Sequence, residues 1–261
     1  MIKEVTIGIM KNRSIWFWSV LFVLVWAVIG SFVASRGVAV GSEKYYISAW
    51  YSIEAVISAG SSGTGIAYIT FFSSSSLAYL FRFSRLRPVR YELIFFSGYL
   101  VTSMATLSTV TAANIFLFSL RFGHLTLPNP YIIPAIIVTG AFFYVFSVMV
   151  ALVVNNHFSL KNASFTSFVP LFLAFISAYL PLYISISRWV AVLYPFLGIE
   201  YLLSYSFTGA INLSLVAYGS PSVSPAAIYA SVVCWMAILF IADVFLLRRI
   251  RPRSAEEMRQ L

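Results

Sequence analysis

Residues 15–35, IWFWSVLFVLVWAVIGSFVAS, decide the fold class. A helix of ~20 apolar residues crosses the ~30 Å hydrocarbon core of a bilayer. Trp16 and Trp18 open the run where an interfacial aromatic belt belongs. Val33-Ala34-Ser35 resembles a small-residue cleavage site. A signal-peptide core is only about 7–15 residues long, however, so the run reads as an anchor. The rest of the chain has the same character. Of 261 residues, 61% are hydrophobic and 10% charged, and mean hydropathy is +0.91. A soluble domain is roughly 45–50% apolar and about 25% charged. The length leaves room for about six spans and no sizeable soluble domain, so nucleotide hydrolysis would fall to another chain.

Upstream, residues 1–13 place Ile2, Val5 and Ile9 at helical spacing among Lys3, Glu4, Lys11 and Arg13. They read either as a short interfacial helix on the inner membrane surface or as an ordinary basic flank. Downstream, a second span is expected at 54–81, with a Gly- and Ser-rich centre (SAGSSGTGIAYITFFSSSS) suited to close helix packing. A basic loop, 82–92, contains Pro88 as a breaker. Further spans are expected at 93–120, 131–154 and 165–183, and the last at 225–247. Between the fifth and sixth lies 184–224, too interrupted by Pro and Gly for a span and too apolar for a solvated loop. Short helices dipping into the outer face fit it. The expectation is an all-α integral membrane protein, a single transmembrane domain over 1–261. It has six transmembrane helices, an N-terminal interfacial helix and a broken, partly re-entrant outer segment before the last helix.

The net charge of +9 is distributed unevenly. Lys3, Lys11, Arg13, Arg82, Arg85, Arg87, Arg90, Lys161 and the five arginines from Arg248 onward fall on one side of a six-span layout. Arg36, Lys44, Arg121 and Arg188 fall on the other. This bias puts both termini in the cytoplasm, and it accounts for the basic balance without nucleic acid. The one cysteine, Cys234, cannot form an internal disulfide.

The layout resembles the permease subunits of ABC-2 type transporters, exporters that work with a separate ATPase. The resemblance is architectural and covers nearly the whole chain. It has a surface helix before the first span, a basic loop after the second, a short link NNHFSLKN (155–162) between the fourth and fifth, and a broken outer segment before the sixth. Locally, FVPLFLAFISAYLPLY (168–183) and RWVAVLYPFLGIEYL (188–202) are similar to the family's stretch leading into its outer helices. The resemblance implies a coupling loop, here Arg82, Arg85, Arg87, Arg90 and Glu92, docking on an ATP-binding cassette subunit that carries ATP and Mg. It implies pairing with a second permease chain, identical or different, in the plasma membrane. A substrate route would be lined by the first, second and fifth spans. It implies no catalytic residue and no cofactor in this chain, and substrates ranging over lipids, polysaccharides, drugs and peptides. Positive-inside topology alone also explains the arginines of the loop.

Acids inside membranes are costly and often functional. Glu54 is expected near the outer end of the second span within reach of interfacial water. Glu200 is expected in the outer segment, lining a cavity or capping a helix, and Asp243 about one turn from Arg248 where it can pair or snorkel. Glu54 and Glu200 are thus the candidate transport-path acids. None is expected deep in the bundle, which disfavours the alternative function, an ion-gradient-driven secondary carrier. Gly60-Ser61-Ser62-Gly63 matches the G-x-S-G pattern of rhomboid proteases, but both histidines, His124 and His157, fall in loops away from Ser62. Two histidines and one cysteine make no metal cluster. The GSSGTG run lacks the Lys-Ser/Thr ending of a phosphate-binding loop. Asn162 and Asn212 begin glycosylation sequons, the first expected inside and the second outside.

Overall fold

Hydrocarbon leaves backbone amides no partners but those of the chain itself. Accordingly, every regular element among the described residues of this computed structural model is helical. The structure describes residues 2–84, 86–158, 163–184, 186–209 and 223–250. The elements are α1 (Ile2–Met10), α2 (Arg13–Gly37), α3 (Glu43–Phe83), α4 (Pro88–Phe122) and α5 (Ile132–His157). They continue as α6 (Ala163–Ser167), α7 (Val169–Tyr183), α8 (Arg188–Leu193), α9 (Pro195–Thr208) and α10 (Pro225–Arg248). Five are long and apolar enough to cross a membrane: α2, Glu43–Ser74 of α3, α4, α5 and α10. That architecture is consistent with a multi-pass membrane protein. The expected fifth span, 165–183, is divided by a turn at Phe168 into α6 and the 15-residue apolar helix α7.

Within α2 the helix widens into π turns at 17–21 and 29–33. There Ser19 Oγ donates to Ile15 O at 2.5 Å and Ser31 Oγ to Ala27 O at 2.7 Å, side-chain bonds that compete with the backbone ladder. The α1 helix packs on α4, where Val5 and Thr6 meet Gly98, and Ile9 is buried.

The second expected span starts eleven residues earlier than hydropathy indicates. Its first three turns, EKYYISAWYSIE, are too polar and aromatic to score as hydrocarbon-facing. From Tyr46 onward they are packed against protein: Tyr46 OH donates to Gly30 O at 2.8 Å, and Ser48 Oγ donates to Ser204 O at 2.9 Å. The Gly/Ser centre lies against α5 and α7, with Gly60 facing Ala174 and Gly63 facing Ser147.

Residues 82–92 are not an extended loop. Helix α3 runs to Phe83 and α4 begins at Pro88, so only 84–87 connect them. Proline at the first helical position lacks only an amide that would have been unpaired anyway, so Pro88 starts a helix rather than breaking one. This hairpin reaches well past the start of α2. Ile15, at the start of α2, meets Gly65 of α3, which continues to Phe83, roughly 27 Å further at ~1.5 Å per residue. The hairpin tip and the last turn of α10 carry Arg82, Arg87, Arg90 and Arg248, α1 carries Lys3 and the link to α2 carries Lys11, and together these form the basic end of the bundle.

Helices α8 and α9 meet at Tyr194–Pro195, opposite the middle of α5. Phe196 packs on Phe142, Phe143 and Phe146 with ring centroids 5.0, 5.5 and 4.9 Å apart. Trp235 Nε1 of α10 donates to Leu193 O at 2.9 Å. Helix α9 then turns back toward the end opposite the basic one, where Asn129 N donates to Ser206 O at 2.6 Å.

Candidate functional site

Because α2 and α7 begin where α3 still has more than four turns to run, the basic end cannot close evenly around α3. A cavity of about 330 Å³ results, lined by Asn12, Ser14, Ile15 and Trp18 from the start of α2, by Ser61, Thr64, Gly65 and Tyr68 from α3, and by Ser167, Phe168 and Leu171 from α6 and α7. The lining mixes hydroxyls with aromatic and aliphatic surface, which suits an amphiphile. Ser61 Oγ is buried there without a hydrogen-bond partner. Asn12 fixes the mouth: its Oδ1 accepts from Ser14 N at 3.0 Å and caps α2.

Among the described residues the bundle also buries four carboxyls. Glu54, Glu92, Glu200 and Asp243 are each at most 1% exposed. This corrects the sequence expectation for Glu54, Glu92 and Asp243, and the helix-capping alternative for Glu200. Glu54 lies inside α3, and its Oε2 accepts from Asn114 Nδ2 at 2.8 Å, away from interfacial water. Glu200 sits in the second turn of α9 rather than at a helix start, with Oε2 unpartnered. Asp243 does not pair with Arg248, which is exposed; both its oxygens are buried without a hydrogen-bond partner. Glu92, expected on an exposed docking loop, faces the interior instead, where Tyr144 OH donates to its backbone oxygen at 3.3 Å. Its two carboxyl oxygens are likewise unpartnered, and it lies close enough to Asp243 for the two to interact electrostatically. Hydropathy could not find these sites, because burial depends on which helix face meets a neighbour. Two carboxyls buried side by side repel one another when both are ionised, and a neutral amide in place of either removes that repulsion. Glu92→Gln and Asp243→Asn are therefore each expected to raise the unfolding midpoint in detergent by a few degrees, read by thermal shift. A fall in both would show that the carboxyls are satisfied.

The other predicted residues are distributed as follows. Arg82, Arg87 and Arg90 are exposed around the hairpin tip, Arg82 lying over the Phe83 ring at 5.8 Å. Arg85 lies outside the described residues, as do Lys161, Asn162, Asn212 and the tail from Arg251. Ser62 is buried, its hydroxyl 2.7 Å from Tyr99 OH and donating to Ala59 O, while His157 stands at the far end of α5, ten residues beyond the Ser147 that faces Gly63. The G-x-S-G pattern is thus a packing feature here. Among the described residues no group of three or more His, Cys, Asp or Glu is arranged to hold a metal. No protein-family model matches this chain, and no curated protein matches it.

Proposed function

We propose that this chain is the membrane-embedded subunit of a transporter, with a substrate path that opens at the basic end. More particularly, it is the permease subunit of an ATP-driven exporter of the ABC-2 type. The observation that carries the reading is the cavity at the basic end, because its walls come from the first, second and fifth expected spans, the three that line the route in the resembling family. The Tyr194–Pro195 apex at mid-depth supports it as a re-entrant pair, with α6 and α7 as the sixth crossing. In this reading the basic end and both termini are cytoplasmic, in the plasma membrane. The exposed arginines of the hairpin tip face a separate ATP-binding cassette subunit that supplies ATP and Mg, and a second permease chain completes the route.

Purification of the chain from its host in mild detergent tests this reading. A stoichiometric ATP-binding protein is expected to accompany it; recovery of the chain alone across several detergents overturns the assignment. The hairpin has its own test. Reversing two exposed charges, Arg82→Glu with Arg87→Glu, should reduce recovery of the ATPase partner about tenfold or more, since each truncated or inverted charge pair costs on the order of 2–5 kcal/mol. Undiminished recovery and ATPase stimulation would remove the hairpin from the interface.

One observation favours a second reading. Four buried carboxyls are the groups an ion-gradient-driven carrier requires, and their depth removes the reason for disfavouring it. That reading requires gradient-driven transport by the purified chain alone, lost in Glu54→Gln or Glu200→Gln.

A further inference from the structure

Glu54 and Asn114 are joined by one hydrogen bond where two are possible. Asn114 Nδ2 on α4 donates to Glu54 Oε2 on α3 at 2.8 Å. The other oxygen of each group, Glu54 Oε1 and Asn114 Oδ1, is buried and has no donor. With the carboxyl ionised, both of these are acceptors, and neither can satisfy the other. Turning the amide over does not help, since it would point a carbonyl oxygen at a carboxylate. A proton on Oε1 changes the count: the acid hydroxyl becomes the donor that Asn114 Oδ1 lacks, and a single proton satisfies two buried atoms. The resulting acid–amide ring also removes a net charge from a site with no cationic partner, and an unpaired buried charge is far more costly than a neutral polar group.

We propose that Glu54 and Asn114 form a proton-binding site between α3 and α4, with one proton held on Glu54 Oε1. The inference stands independently of whether an ATPase drives this chain. The ionisable groups that reach Glu54 are Tyr46 and Tyr51 on its own helix and Tyr179 from α7. Tyr51 OH is engaged with Thr111 Oγ1 at 3.0 Å, one turn from Asn114 on the same face of α4. Arg121 of α4 is directed away, its Nε donating to Ser35 Oγ at 2.8 Å. Among the described residues, α2, α5 and α9 present no ionisable group that acts on Glu54. Among the described residues, Glu54 therefore meets hydroxyls and one amide, with no base to take its proton and no cation to replace it.

The test is infrared difference spectroscopy on the detergent-purified full chain at neutral pH, wild type against Glu54→Gln, with thermal unfolding of the same samples. Glu92, Glu200 and Asp243 are buried in both proteins, so the signal is read in the wild-type-minus-Glu54→Gln difference, where a protonated-carboxyl carbonyl band is expected, sensitive to D₂O and shifted in Asn114→Ala. Glu54→Gln should unfold within a few degrees of the wild type, because the glutamine amide reproduces both bonds of the ring, whereas Glu54→Ala loses both and unfolds clearly lower. Carboxylate bands in place of the acid band overturn the proposal, as does a requirement for sodium ions to keep the wild type folded, which would make the occupant a metal cation. Glu54→Gln being as destabilising as Glu54→Ala also overturns it.

Discussion

With Cys234 replaced by Ser, a cysteine at Thr64 is expected to react with a water-soluble, membrane-impermeant maleimide at least about tenfold faster than a cysteine at Ser62, because only a hydrated thiol ionises and reacts readily. The two positions are two residues apart on α3, so they share depth, backbone and expression background. Their environments differ. Thr64 lines the cavity at the basic end. Ser62 is wholly buried against the Tyr99 hydroxyl. The comparison reads access of water to the cavity without requiring any knowledge of substrate. It also has a direction: in sealed vesicles, labelling at Thr64 should occur from the side that holds α1 and the hairpin tip. Equal rates at the two positions would mean that the cavity is dry, and the proposed route would lose the observation that carries it. Labelling from the opposite side would invert the assigned orientation.

Much of this architecture was legible in the residues, and the parts that were not share a physical cause. Hydropathy found the helices whose faces contact apolar surroundings, such as Ile15–Ser35 and the run in α10, because their composition must match hydrocarbon. It placed the start of α3 too late because Tyr46–Glu54 is packed against protein rather than lipid. A helix that buries its polar side chains against Gly30 and Ser204 needs no apolar composition. It placed 82–92 in a loop because arginines and a proline read as a boundary, although the boundary occupies only four residues between two long helices. Candidate-site residues divided in the same way. The surface arginines Arg82, Arg87 and Arg90 are exposed, since a charge with a free choice of solvent takes water. Glu54, Glu92, Glu200 and Asp243 went into the interior, which depends on helix register and crossing, and neither is written in one local stretch. Asn114 and Tyr144 passed without notice because their partners are 60 and 52 residues away in sequence.

The Gly/Ser-rich centre of α3 offers the sharpest test of packing. Gly60→Ala is expected to lower the unfolding midpoint substantially, although alanine favours helix over glycine by about 1 kcal/mol. The added methyl would stand 2.5 Å from the Ala174 methyl and 3.1 Å from the Pro170 carbonyl oxygen. Ordinary carbon contacts lie at about 3.5–4.0 Å, so α7 must move or the substitution fails. Overpacking of this kind costs about 1–3 kcal/mol, and more when backbone is among the obstacles. Ala174→Gly should return part of the loss, since it removes the nearest obstacle and leaves the Pro170 carbonyl in place. Non-additive stabilities in the four-way comparison of wild type, two singles and the double would place Gly60 and Ala174 in direct contact. Strict additivity, or a Gly60→Ala protein as stable as its parent, would mean that α3 and α7 do not approach closely. That outcome bears on function as well as stability. The cavity walls are these same two helices together with α2, so their separation sets the width of the route. A methyl group at Gly60 that pushes α7 outward should widen the cavity, and maleimide labelling of a cysteine at Thr64 should then accelerate in the Gly60→Ala background.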